Sequence, residues 1–523
     1  MAHHKDIVVV GGGISGLCTA NLLEENGFNV VVLEATRCVG GRTYTIQDSN
    51  CGDYVDLGGS YVGPTQDRIL RVARQFGIKN YKIIEDAKLV WVQKGKFYPY
   101  IPAEGYYPRF WNPFVWLDIN NIGRQWDFIG STIPSSAPWE CPNAEELDKM
   151  TMQQWIDENT WTKTGNRFCT HMISQILTAE PHEMSVLFFM WYIKQCDGFL
   201  RTFSAENGGQ ERKFIGGSQQ ISLRLQDKLG KDKVILNSVV ITIEQNDDEA
   251  VVKTLGGEIY KSRYVVMAIP PGMIQRINFM PPLPPLRNQL IARAPMGSVL
   301  KCIVYYKTQF WRKKGFCGST WSIDPEFPIK WSFDDTKPDG TAPALITFIT
   351  ANKAREFCAL TKDQRINKIC QYFAKAFDSS EALYPVYYVE KNWMEEPYVG
   401  GCYTTVFHPG TLYRYGRELR KPVGCIHFGG TETASKWAGY MDGAVESGER
   451  AAREILYKEG KIRKEEIWQD EPESKEIPAA PLKSTFLERN APTASGFYTF
   501  LKRMVLTGAL TALMVTLKKK SLL

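Results

Sequence analysis

The sequence predicts a mixed α/β protein: a Rossmann-like cofactor domain, a second domain inserted into it, and an apolar C-terminal helix. Three observations carry this prediction. Residues 6–42 read as strand, glycine turn, helix, strand, acid. Stretches rich in proline and aromatic residues alternate with returns of the glycine-turn and buried-strand pattern. An uncharged run closes the chain between two basic clusters.

The opening unit comes first. Asp6-Ile7-Val8-Val9-Val10 is a short β-branched apolar run, the pattern of a buried strand. Gly11-Gly12-Gly13-Ile14-Ser15-Gly16 follows at once, and residues 17–23 read as a helix that Gly27 stops. Residues 29–33 form a second strand ending in Glu34. Each glycine has a mechanical role: Gly11 permits the tight turn, Gly13 lets backbone N–H groups approach a pyrophosphate, and Gly16 lets the helix pack closely. The uncapped N–H groups and the helix dipole favour phosphate there. Glu34 stands about 20 residues past the last glycine, where an acid can bond ribose hydroxyls.

Beyond this unit, Gly58-Gly59-Ser60-Tyr61 marks a turn-rich loop. From about residue 85 the composition shifts to Pro102, Pro108, Pro113, Pro134, Pro138 and many aromatics, with helical patterns at 152–158 and 186–195. Residues 234–244 alternate as a strand does, and 264–269 are a buried strand stopped by Pro270-Pro271. The division expected is a cofactor domain at 5–84, 215–290 and 396–459 and a substrate domain at 85–214 and 291–395. A polar wrapping segment follows at 460–493, and a membrane anchor at 494–523.

The tail prediction rests on length and charge. Residues 504–517 are uncharged between Lys502-Arg503 and Lys518-Lys519-Lys520. As a helix they reach roughly 21 Å, short of a hydrocarbon layer of roughly 30 Å. Counted from Phe497 the helix reaches roughly 32 Å, provided Lys502 and Arg503 snorkel. The alternative is an interfacial amphipathic helix.

Composition excludes several classes. A net charge of +6 is too weak to mark a nucleic-acid partner, and six histidines without ligand spacing give no metal site. Twelve scattered cysteines with no CxxC pair argue for reduced thiols rather than zinc or a disulfide scaffold. The apolar run at 7–10 is too short for a secretory signal, so the body is expected to face the cytosol.

Three further stretches narrow the reading. They are Gly40-Gly41-Arg42-Thr43, then Tyr398-Val399-Gly400-Gly401-Cys402-Tyr403, and finally Gly429-Gly430-Thr431-Glu432 with Trp437-Ala438-Gly439-Tyr440-Met441. Together they resemble the monoamine oxidases among the flavin-containing amine oxidases, and the likeness runs over essentially the whole chain. The resemblance implies FAD, carried as an 8α-S-cysteinyl thioether on Cys402. Read without the resemblance, Cys402 is a buried thiol, as most cysteines are. Gly41 and Arg42 would serve the diphosphate, Glu432 the ribityl chain, and Met441 and Trp393 the neighbourhood of the flavin. Tyr403 and Tyr440 match the family's aromatic cage around the amine, and Lys301 matches its water-holding lysine.

The pocket assignments come from counting. Phe203 and Gln210 are placed from Asn207-Gly208-Gly209-Gln210, and Trp331 from Asp334-Asp335-Thr336-Lys337. Phe203 and Trp331 fall at the family's gating positions and Gln210 near the cage, although all three read equally well as core. The reaction implied is oxidative deamination of primary aryl-alkyl amines to aldehydes, with O₂ reduced to H₂O₂. Rivals on the same fold are a polyamine or an L-amino acid oxidase; a rival of another class is a membrane-tethered flavoprotein without catalysis. The family further implies a homodimer, tail-anchored in the mitochondrial outer membrane and facing the cytoplasm.

Overall fold

The fold, taken from a computed structural model, describes residues 2–83, 85–101, 112–482, 484–491, 493, 496, 502–504 and 507. Its first layer is an eight-stranded sheet. In spatial order the strands are Val234–Ile235, Val30–Leu33, Ala2–Val10, Ile259–Met267, Ala250–Thr254, Val240–Gln245 and Asn278–Met280, with Ile426–Phe428 also paired to Ile259–Met267. Ala2–Val10 runs parallel to both neighbours, with Val9 facing Val32 on one side and Val266 on the other. Ile7, Val8 and Val9 are fully buried, which is why the opening run is apolar without alternation.

The helices Ile14–Glu25 and Met441–Lys458 pack against each other over this sheet. They touch at small residues: the Thr19 hydroxyl donates to the Gly448 carbonyl at 2.9 Å. A Cβ on Gly448 would lie 2.2 Å from the Ser15 carbonyl. The stretch at 234–244, read above as one strand, is two. Asn237 takes a positive φ of 53° and its N–H bonds to the Thr36 carbonyl. The chain thereby turns from one edge of the sheet towards the other.

The second layer is a seven-stranded sheet, ordered Tyr387–Asn392, Val299–Tyr305, Ala344–Thr350, Trp331–Asp334, Phe316–Ser322, Lys88–Gln93 and Lys96–Tyr100. Beside it the helices Pro113–Ser131, Met152–Asn159, Lys163–Ile176 and Val186–Gln195 share one apolar core. A short three-stranded sheet of Tyr61–Val62, Arg212–Phe214 and Asn80–Lys82 stands between the layers.

The chain after 459 makes contacts with both layers. Arg68 donates to the Gln469 carbonyl at 2.8 Å, and Arg71 pairs with Glu471 at 2.9 Å. The Ser474 N–H donates to Asp67 at 2.8 Å, and further on Asn120 donates to the Glu488 carbonyl at 3.1 Å. It thus runs from the cofactor layer to the helical layer. The run 497–517 expected as an anchor lies, apart from positions 502–504 and 507, outside the described residues. Among the described residues no helix is long and apolar enough to cross a membrane.

Candidate functional site

One cavity of about 550 Å³ reaches from the opening glycine turn to the aromatic face between the two large sheets. Gly11, Gly13, Glu34, Gly41, Arg42, Gln210, Lys301, Trp331, Trp393, Cys402, Tyr403, Tyr440 and Met441 all line it.

At the glycine end the wall is backbone. Gly11 takes a φ of +106°, and a Cβ there would lie 2.9 Å from the Ala268 carbonyl. A Cβ on Gly16 would lie 2.0 Å from the Gly11 carbonyl, so only glycine lets the turn fold under the helix. At Gly13 an added Cβ would meet only the Gly40 carbonyl, at an ordinary contact distance of 3.9 Å, so the backbone there is not closed off. No side chain caps the helix Ile14–Glu25 and no acid sits in its first turn. Its dipole is therefore unopposed where an anionic diphosphate would lie. Glu34 holds the turn itself: one carboxylate oxygen accepts from the Gly12 N–H at 2.6 Å, the other from Thr36 at 2.7 and 2.8 Å.

Arg42 and Glu432 meet as a pair. The guanidinium donates to both carboxylate oxygens, at 2.5 and 3.1 Å, and to the Tyr403 carbonyl at 3.0 Å. Burial pushes the Glu432 carboxyl up, but the Arg42 charge and hydrogen bonds hold it below the usual range. The sequence assigned these residues to two separate parts of a cofactor; the fold joins them into one bidentate contact.

Cys402 is buried, and burial pushes its thiol up to about 12. Its backbone is clamped. The Cys402 N–H donates to the Gly297 carbonyl at 3.0 Å, the Thr178 hydroxyl donates to the Cys402 carbonyl at 2.6 Å, and the Tyr403 N–H donates to the Thr178 hydroxyl at 3.0 Å. Gly401 has a φ of +145°, with the Gly297 carbonyl 2.3 Å from where a Cβ would stand. Trp393 donates its indole N–H to the Leu57 carbonyl at 2.9 Å.

Lys301 sits mid-strand and 2% exposed. Its ammonium donates to the Gly58 carbonyl at 2.8 Å and to the Ser60 hydroxyl at 3.1 Å. Burial first, then the charge of Lys213, lowers it to about 7, against the opposing pull of Asp56 and Asp335. Two of its three N–H donors are thereby used.

The aromatic end is side chains. Tyr440 accepts from the Tyr192 hydroxyl at 2.9 Å, and Trp437 meets its ring edge-on at 4.8 Å. Tyr403 packs against Phe348 at 6.2 Å. Burial holds the phenols of Tyr192, Tyr403 and Tyr440 well above their ordinary range, so all three stay neutral. Trp331 stacks on Trp321 at 5.6 Å. Phe203 stands apart from these: it packs on Phe199 at 4.7 Å in the helical core and is not part of the cavity lining.

The family described as flavin containing amine oxidoreductase matches residues 14–456. The chain belongs to the flavin-containing amine oxidases. It is 55% identical over 512 residues to amine oxidase [flavin-containing] B of Mus musculus, covering 98% of this chain and 97% of that one. To the Homo sapiens protein of the same name it is 52% identical over 523 residues, covering 100% and 99%. The solved structure of cyclohexylamine oxidase from Brevibacterium oxydans IH-35A superposes with a TM-score of 0.83 at 30% identity, over 87% of this chain and 99% of that one.

In this amine oxidase several wall residues carried no sequence signal. Phe348 faces Lys301 in one ladder and Trp331 in the next, a neighbourhood only strand register creates. Tyr192 lies on Val186–Gln195, of which all but Lys194 is buried, so no apolar stripe marks the cavity side. Thr178 does carry a structural mark, a positive φ of 53°, but nothing in sequence ties it to Cys402. Phe333, two residues past Trp331 on the same strand, was reachable from strand alternation.

Proposed function

We propose that this enzyme is an FAD-dependent monoamine oxidase converting primary aryl-alkyl amines, biogenic and dietary, to aldehydes with release of H₂O₂. The family gives a flavin enzyme acting on amines. The finer reading rests on one observation: the end of the cavity lined by Tyr61, Gln210, Trp331, Phe348, Tyr403 and Tyr440 is aromatic and amide. Among the described residues, no arginine or carboxylate lines that end. An L-amino acid substrate calls for an arginine there to pair its carboxylate, and a polyamine for acids.

The residues present fit FAD. Gly13 and the uncapped helix would hold the diphosphate and Glu34 the ribose, Arg42 with Glu432 would lie along the flavin's path, and Cys402 would carry the thioether. Bound there, FAD supplies the two-electron acceptor for the amine and the route by which those electrons reach O₂. The protein does the rest. The apolar wall favours the neutral amine over the ammonium. Tyr403 and Tyr440 present ring faces that orient the nitrogen, and the remaining N–H of Lys301 holds a water. The amine loses two electrons and two protons to give an imine, and water converts it to aldehyde and ammonia outside the closed pocket. The tail 497–517 would tether the enzyme to the mitochondrial outer membrane with its body in the cytoplasm, as a homodimer.

H₂O₂ release measured with phenylethylamine and serotonin, against spermine and L-leucine, tests the substrate class; turnover of the second pair alone overturns it. Acid precipitation tests the linkage: a yellow pellet, with flavin mass on the peptide holding Cys402, is the expected result.

A further inference from the structure

Lys213 and Asp335 form an ion pair that no step above uses. Their side chains are 4% and 1% exposed, and neither lines the cavity. Lys213 touches a residue that does, and Asp335 lies two positions along the chain from another, Phe333. Lys213 faces Tyr61 in the short sheet, its ammonium 5.7 Å from the centre of the Tyr61 ring. Asp335 follows the strand Trp331–Asp334, held in place by its N–H bond to the Ala344 carbonyl at 2.9 Å. Across the cavity wall the Tyr61 ring leans on Phe333 at 6.2 Å and on Phe348 at 6.4 Å. One buried contact therefore ties the sheet bearing Tyr61 to the sheet bearing Trp331 and Phe333.

Stability alone is a poor reason for such a pair. Two apolar side chains of the same volume commonly hold a core as well or better, because desolvating two charges is expensive. The second oxygen of Asp335 has no hydrogen-bond partner among the described residues, so the carboxylate is not even fully satisfied. What a charge-assisted hydrogen bond adds and an apolar contact lacks is direction and a fixed distance.

We propose that Lys213 and Asp335 are positioning residues that set the spacing between the Tyr61 wall and the Trp331 wall, and with it the ring size of the amine accepted. This rests on the aromatic end being the amine site. Without the pair the two sheets slide against each other. A one-ring amine then loses wall contact while a two-ring amine still fills the gap. Contacts worth a methylene or so change selectivity about tenfold.

The test uses the full-length holoenzyme, with kcat and KM for phenylethylamine and tryptamine and thermal unfolding measured in parallel. Lys213→Met and Asp335→Asn are expected to lower the melting temperature and to reduce the phenylethylamine-to-tryptamine ratio of kcat/KM about tenfold, mainly through KM. The double variant Lys213→Met/Asp335→Leu is expected to recover the melting temperature but not the ratio, which separates spacing from stability. Lys213→Arg, which keeps the attraction, is expected to keep the ratio. A ratio that recovers together with stability in the double variant, or that never shifts, overturns the proposal. If the double variant does not fold, a tenfold shift in Lys213→Arg at unchanged melting temperature overturns it equally. A parent enzyme that turns over neither amine overturns the amine-site reading first; one that does, with unshifted variants, overturns the pairing alone.

Discussion

At its glycine end the cavity wall is main chain, held by contacts that leave no room for a Cβ; at its aromatic end it is side chains brought in from separate strands and helices. Gly11, Gly16 and Glu34 fall within one short stretch and fix one another locally. Tyr61, Trp331, Phe348, Tyr403 and Tyr440 come from five separate segments gathered round one cavity: Phe348 lies opposite Trp331 in the ladder and meets the rings of Tyr61 and Tyr403. A wall made of backbone tolerates few substitutions and recognises what every dinucleotide shares. A wall made of side chains can change residue by residue, and with it the amine.

Five substitutions sharpen this contrast, beginning with the largest expected effect. Arg42→Met leaves the Glu432 carboxylate buried and unpaired. It is expected to cost about 3–5 kcal/mol, read as a fall in melting temperature that the double variant Arg42→Met/Glu432→Gln largely reverses. Gly16→Ala pushes a methyl into the Gly11 carbonyl and is expected to cost about 1–3 kcal/mol or more. Gly13→Ala, whose added methyl makes only an ordinary 3.9 Å contact with the Gly40 carbonyl, is expected to fold as the parent does and to show its effect only in flavin retained after purification. Equal melting temperatures for the two glycine variants would break the backbone-wall picture.

Lys301 gives a pH-dependent effect. Burial holds its ammonium at about 7, below the unfolded lysine, so between that pH and the ordinary lysine range the unfolded chain binds the extra proton. The penalty is fully present below about pH 7 and fades as the pH rises. The parent is therefore expected to gain on Lys301→Met by about 1.4 kcal/mol per pH unit across that window. Unfolding of both proteins at about pH 7 and about pH 9 checks the sign. A smaller effect than at Arg42 or Gly16 is expected from Tyr192→Phe. It removes the hydroxyl that donates to Tyr440 and is expected to cost about 0.5–1.5 kcal/mol, seen as a rise in KM with the flavin spectrum unchanged.

Legibility in the sequence followed the same division. The βαβ unit, the buried strand at 264–269 and the helices at 152–159 and 186–195 were readable because each is a local pattern of period and punctuation. The split of 234–244 escapes a reading of the stretch as one apolar segment: the break falls at Asn237, whose left-handed conformation goes with its N–H bond to the Thr36 carbonyl, a residue distant in the chain. Lys301 was readable as a buried lysine that needs partners; that the partners are Gly58 and Ser60 was not.

By itself the sequence determined where a dinucleotide can lie, because a glycine turn, a helix start and an acid act through neighbours along the chain. It carried too, in long matched motifs, the likeness to the flavin-containing amine oxidases. Only the tertiary structure decided that Arg42 pairs with Glu432, that Thr178 clamps Cys402, that Phe203 turns away from the cavity, and that Lys213 reaches Asp335. Those are meetings between residues distant in the chain, created by strand register and sheet packing, and no local pattern encodes the distance between two sheets.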